Sequence, residues 1–364
     1  MFFRPALCRV WQKGIRMKSF KNKIGLRLLC ALLALLCVLS LASCDLAAFL
    51  PSGLLDGDSG DGGSGGSGDG GFTPSDIDEV TKDSFENSYR DQLNANEKAI
   101  YDTVANAEAG AHAFTVTLTE PLSICKDREP SEGEKEDASS RVSFWITNAL
   151  YAVWLDKPHL FWMETGNYEY AYSMVPDDDA VYSIKEITVT VEARANAQNA
   201  VQHEASIDAL LSTLSLRKAT DYDTVAAIND YLCARIDYVD TADRQNVYGA
   251  LIGRKCVCEG YAHAFKLLCD KFGITCATII GTGYTEDGSE GHMWNAVRLD
   301  GKWYAVDVTW NDQADKNARN AFLAVGTETD SFGDTFAETH VAEYTRGTSK
   351  VFASPKLEKT AYKK

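Results

Sequence analysis

The sequence predicts an α+β fold, and three observations carry that prediction. Apolar residues recur at helical spacing in two segments, around Ile100 and around Ile228. The run Ile274 to Gly281 is short, almost wholly apolar and rich in β-branched residues, which reads as a central strand. Two further strand-like runs meet at Asp300-Gly301, a two-residue hairpin turn.

Taken in order, the 364-residue chain opens with a segment that reads as an export signal. Residues 1–43 hold eight of the 36 basic residues and no acidic one, and they lead into the apolar run Leu28 to Leu41, too short to span a bilayer comfortably. Met17 is a second candidate start that gives this signal an ordinary length. The run ends Leu41-Ala42-Ser43-Cys44, similar to the bacterial lipobox whose cysteine is lipidated. Cys44 is the expected lipidation site, and the expected location is the outer face of the cell membrane. Two acyl chains hold a protein there at about 0.8 kcal/mol per buried methylene. The bland alternative is an ordinary cleavage site that happens to precede a cysteine.

Loss of residues 1–43 leaves 28 basic against 52 acidic residues, so the formal charge goes from −16 to −24. Such a chain lacks the basic surface that phosphate backbones require, which argues against nucleic acid as a partner. Residues 44–74 form a linker in which every position from Gly57 to Gly71 is Gly, Ser or Asp. It reads as a flexible coil with an end-to-end distance on the order of 30 Å. Its aspartates do not make an EF-hand, because a loop from Asp56 would put Gly60 and Ser67 where ligands belong.

The folded part divides into a mixed helical and strand region of unassigned role (75–200), a second domain (201–345) and a C-terminal tail (346–364). In the first, Asn94 and Glu97 have capping-box spacing ahead of Ile100, Tyr101, Val104 and Ala107. Ala113 to Leu118 alternates like a strand, and the aromatic, β-branched stretch from Arg141 to Val191 reads as several strands with some helix. In the second, Val225, Ile228, Leu232 and Ile236 mark a helix with Asp221 or Asp223 near its start.

Gly249 to Asp312 carries the chemistry. In Val257-Cys258-Glu259-Gly260-Tyr261-Ala262 a helix begins whose positions 258, 262, 265 and 269 share one face and which stops at Gly273. Cys258 falls in its first turn, where unpaired amides and the helix dipole stabilise a thiolate. Gly260 removes a side chain beside it, so another group can approach closely. By itself, a cysteine here is better read as a small buried hydrophobe.

The hairpin alters that balance. With its turn at Asp300-Gly301, Leu299 faces Lys302, Trp294 faces Asp307 and His292 faces Thr309. One face then carries His292, Trp294, Ala296, Ala305, Asp307 and Thr309, while the other, from Met293 to Trp310, is core. His292 and Asp307 become diagonal neighbours, about 5 to 8 Å apart at the backbone, within reach of an imidazole–carboxylate hydrogen bond. A lone histidine in such a hairpin is usually structural. A histidine and an acid in register, beside a helix-capped cysteine, fit a base, an orienting group and a nucleophile. The acidic, glycine-rich loop Thr282 to Gly291 reads as a substrate-gating flap or as a solvated turn.

The segments Val257 to Ala262, Gly291 to Asn295 and Trp303 to Trp310 resemble, in order and spacing, the motifs of the transglutaminase-like superfamily. The resemblance covers about Tyr248 to Asp312, with an extension toward His340 through Phe322-Leu323-Ala324-Val325-Gly326, and implies a fold related to papain-type cysteine proteases, with a nucleophile helix packed on an antiparallel sheet. It also implies a Cys-His-Asp triad at Cys258, His292 and Asp307. In such a site the Cys258 backbone amide is the first oxyanion donor, and Tyr248 and Trp294 are candidates for the second. The expected activity is acyl transfer on protein or peptide amides outside the cell, as a peptidase or amidase rather than a cross-linking enzyme, with no cofactor and no metal. The alternative is a non-catalytic surface binding or scaffold module. Oligomeric state is left open. Cys256 departs from the family pattern and raises two lesser readings: a different nucleophile, or a zinc site with Cys258 and His292 that lacks a fourth ligand. Cys125, Cys233, Cys269 and Cys276 show no disulfide framework and read as core residues.

Overall fold

Local capping starts the first elements. Asn94 accepts the Glu97 amide at 2.9 Å and Glu97 accepts the Asn94 amide at 2.8 Å, closing the expected box ahead of α1 (Ala95–Ala105). The computed structural model describes residues 85–195, 197–286, 288–312, 319–343 and 352–364. The export segment, Cys44 and the glycine-rich linker lie outside them. β1 (Ala113–Lys126) turns Phe114, Val116 and Leu118 inward and continues past the predicted strand. The stretch 141–191 divides cleanly: its first part belongs to α2 (Glu132–Asp156), and the rest supplies β2 (Met163–Tyr172), β3 (Val175–Pro176) and β4 (Val181–Ala193). β4 lies between β1 and β2 in an antiparallel sheet. α2 meets that sheet through hydroxyl pairs, Ser139 with Tyr170 at 2.8 Å and Thr147 with Tyr168 at 2.6 Å.

α3 (Ala200–Thr213) and α4 (Asp221–Cys233) follow, the latter with Asp221 and Asp223 in its first turn and Thr220 as its cap. After β5 (Asp237–Tyr238), a π-helical turn (Gly249–Gly253) and β6 (Lys255–Cys256), α5 runs from Cys258 to Lys271. Gly273, at φ 72°, ends it as predicted. Next come β7 (Cys276–Thr285), β8 (Gly288–Leu299), β9 (Lys302–Val306), a single turn α6 (Val308–Asn311) and β10 (Leu323–Val325). The small pair β11 (Asp330–Ser331) and β12 (Asp334–Thr335), the turn α7 (Phe336–Thr339) and β13 (His340–Ala342) complete the order. The second sheet has the order β10-β9-β8-β7-β13, and α5 packs on β7 and β8. The fold is α+β.

The hairpin register holds where turn chemistry sets it. Asp300 and Gly301 both have positive φ, 49° and 80°, and Leu299 pairs with Lys302, Val297 with Tyr304 and Asn295 with Val306. Beyond that the expectation needs correction. The chain leaves the sheet at Asp307, whose side chain caps α6 by accepting the Trp310 amide at 3.0 Å, so Trp294 and His292 have no strand partners at 307 and 309. The loop predicted over 282–291 is mostly hairpin as well, since β7 and β8 pair from Cys276↔Val297 to Thr285↔Gly288.

Both sheets share one hydrophobic core. Across it, Tyr89 Oη donates to the Thr278 carbonyl at 2.8 Å and Trp154 Nε1 donates to Glu259 Oε1 at 3.0 Å. Residues 352–364 return to the second sheet, where Phe352 is buried and Leu357 bridges Trp303. Among the described residues, no helix is long and apolar enough to cross a membrane, and no disulfide joins the cysteines.

Candidate active site

Cys258 is the first residue of α5, preceded by Val257 in an extended conformation, so its thiol sits at the positive end of the helix dipole. One turn along the same face, the Ala262 carbonyl accepts Asn295 Nδ2 at 3.1 Å. That bond fastens the nucleophile face of α5 to β8, the strand that bears His292. Gly260 is needed for a different contact. A Cβ there would collide with Cys256 and lie 2.7 Å from the Arg244 carbonyl, so the missing side chain lets α5 seat on β6. Cys256 itself is fully buried, and burial pushes its thiol well above the ordinary value. A thiol so held is a poor nucleophile.

His292 and Asp307 meet as predicted, by a different route. The imidazole Nε2 lies 2.6 Å from Asp307 Oδ2, and both side chains are buried. The carboxylate reaches His292 as the cap of α6 rather than from a strand position. Burial pushes its carboxyl up, but the His292 charge and the hydrogen bonds from His292 and His340 outweigh that and hold it below the usual carboxylate range. Two indoles flank the imidazole: Trp294 with ring centres 5.9 Å apart and Trp310 at 5.4 Å, each inclined by about 30° or less.

The two oxyanion candidates part company. Trp294 lies against His292, and its buried Nε1 has no hydrogen-bond partner. Tyr248 stands at the start of the π-helical turn, its ring stacked 3.7 Å from His203 and 6.2 Å from Phe161. The structure places it in that stack.

Sequence reasoning missed His340. Its Nε2 lies 3.0 Å from the same Asp307 oxygen that binds His292, and its side chain has no exposure. Burial pulls this imidazole below the ordinary histidine value, against the opposing pull of Asp307. The local signal is a histidine two residues after the Thr335–Glu338 capping box, and nothing in the sequence pairs β13 with β7. Among the described residues, His292, Asp307 and His340 are also the group able to hold a metal ion, with ligand atoms within 4.8 Å of one another.

Comparison with known proteins agrees with the motifs. Residues 208–308 match the transglutaminase-like superfamily. The chain is 36% identical to kyphoscoliosis peptidase of Homo sapiens over 124 residues, 30% of this chain and 19% of that protein. It is 28% identical to Lim and transglutaminase domain protein ltd-1 of Caenorhabditis elegans over 175 residues, 43% of this chain and 24% of that protein. It therefore spans about a quarter or less of these relatives' length. A TGase crystal structure aligns at 13% identity and a TM-score of 0.26, over 39% of this chain and 50% of that one, too slight a likeness to carry an argument. Cys258, His292 and Asp307 all fall within the matched residues, and over 208–308 the chain carries a domain of the transglutaminase-like superfamily.

Proposed function

We propose that this chain is a cysteine acyl-transfer enzyme acting on protein or peptide amides, with Cys258 as nucleophile, His292 as base and acid, and Asp307 as the orienting acid. The observation that carries the reading is the buried 2.6 Å His292–Asp307 contact, on a strand fastened to the helix that begins at Cys258. With Nε2 turned to Asp307, Nδ1 is the nitrogen left to exchange a proton with the thiol. The thiolate adds to the amide carbonyl, and the charge that develops on oxygen is met by the Cys258 backbone amide. Trp294, which lies beside His292, and Tyr248 remain the side-chain candidates for the second donor. Collapse breaks the C–N bond, the leaving nitrogen takes a proton from His292, and a thioester remains on Cys258. Water then gives a proton to His292 and attacks the thioester, releasing a carboxylic acid and restoring the thiol.

An amine in place of water would make a new amide. Hydrolysis is the branch we favour, and the peptidase name of the human relative supports it. The enzyme would work outside the cell, tethered by a lipid on Cys44 through the linker 44–74. A peptide-library digest by the full-length protein, with and without a primary amine and alongside Cys258→Ala, tests the reading. We expect cleavage and an acyl adduct visible by intact mass, both lost in Cys258→Ala and His292→Ala. Amine incorporation without cleavage would shift the assignment to transfer. Neither turnover nor adduct would leave a binding module.

A further inference from the structure

We propose that His340 is a positioning residue, which donates a second imidazole hydrogen bond to Asp307 and thereby fixes the acid that orients His292. The role rests on the acyl-transfer reading above. Asp307 is fully buried and accepts three donors: His292 Nε2 at 2.6 Å and His340 Nε2 at 3.0 Å on Oδ2, and the Trp310 amide at 3.0 Å on Oδ1. A buried carboxylate is tolerable only with such donors. Two of the three come from groups that take no part in proton transfer, so the carboxylate keeps its place whichever protonation state His292 adopts.

The backbone is arranged to deliver this second ring. β7 lies between β8 and β13, with His292 opposite Gly281 and His340 opposite Gly283. Positions 281 and 283 point to the same face, so both histidines rise on that face from opposite sides of β7. Neither glycine has a side chain to obstruct them. A Cβ at Gly281 would collide with the Val341 carbonyl and lie 2.5 Å from Trp294 Cη2, and one at Gly283 would press on the Trp310 ring at 3.2 Å and His292 Cβ at 3.3 Å.

Packing then fixes the ring of His340. It stacks on Phe336 with centres 4.1 Å apart and planes within 10°, and meets Trp310 at 4.4 Å. Its Nδ1 lies 2.9 Å from Thr339 Oγ1. An ionised carboxylate can only accept, so the Nε2 that lies 3.0 Å from Asp307 carries a ring hydrogen. A metal ion among the same three residues would have to take the place of both imidazole–carboxylate hydrogen bonds, which makes it the competing outcome.

The rate at which iodoacetamide alkylates Cys258 at neutral pH, read by peptide mapping of the full-length protein, reports the assembled site without any known substrate. His340→Phe keeps the aromatic stack and removes the donor. It should slow labelling by about tenfold to a hundredfold, the range expected for a hydrogen bond to a charged group. His340→Gln returns an N–H donor and should recover most of the rate. Labelling of His340→Phe at the wild-type rate, or of His340→Gln no faster than His340→Phe, would overturn the role. If the variants do not fold, imidazole 15N NMR of the wild type decides: a hydrogen on His340 Nε2 supports the role and a bare Nε2 overturns it. Stoichiometric zinc in the purified protein, lost in His340→Gln, would overturn it in favour of a metal site. A wild-type Cys258 no more reactive than a simple thiol would sink the acyl-transfer reading instead, a failure visible without any variant.

Discussion

Gly260 and Cys256 together fix how α5 seats beside two neighbouring cysteines, both of them buried. The glycine lets the helix settle onto Cys256, which seals that thiol in the core and leaves Cys258 at the helix start. Gly260→Ala should therefore cost about 1 to 3 kcal/mol through overpacking, measured by urea denaturation. Cys256→Ala should leave alkylation of Cys258 near the wild-type rate, whereas a loss of labelling would return Cys256 to consideration as the nucleophile. Asp307→Asn removes the charge that supports a protonated His292 and should lower turnover by about 10⁴-fold, read as kcat on whichever peptide the library digest yields. The positions of Cys258, His292 and Asp307 were legible because each sits in a short motif whose residue types serve one chemistry. His340 was not, because its relation to Asp307 exists only once β13 pairs with β7.

At the scale of elements, what could be read was what local chemistry sets. Asp300-Gly301 fixes the hairpin register by its positive φ values, and Asn94-x-x-Glu97 and Gly273 fix helix ends. The strand exit at Asp307 was hidden because Val308, Thr309 and Trp310 all favour strand, and what overrides them is capping by Asp307 and the Asn311 side-chain Oδ1 accepting the Phe322 amide at 2.8 Å. α2 was partly hidden for a similar reason, since its core-facing half is aromatic and β-branched; its Ser131–Glu134 capping box was the available signal. The seam between α2's region and the second sheet makes its own prediction. Tyr89→Phe leaves the buried Thr278 carbonyl without that donor and should cost about 1 kcal/mol, seen as a lower urea midpoint at unchanged slope.

For the whole molecule, buried acids set the response to pH. Burial pushes Asp156 and Asp312 up to about 6, against the lowering effect of hydrogen bonds such as that from Tyr261 Oη to Asp312 at 2.6 Å. A folded-state value above the unfolded one of about 3.9 means that the folded chain binds these protons more tightly. Their contribution to stability therefore grows as pH falls through about 6 and levels off below about 4. Asp307 has the opposite sign: its contribution is full above about 3.9 and is lost as pH falls further. Urea titrations should show stability rising from pH 7 to pH 5 and turning down in stronger acid, and Asp312→Asn should flatten the rise. The acidic excess of 52 over 36 acts in the same sense, since protonation relieves self-repulsion. The order of the second sheet also bears on biosynthesis. Cys258 leaves the ribosome well before His292 and Asp307, and the edge strand β13 follows them all, so a nascent chain carries its thiol through synthesis before the groups that would arm it are in place.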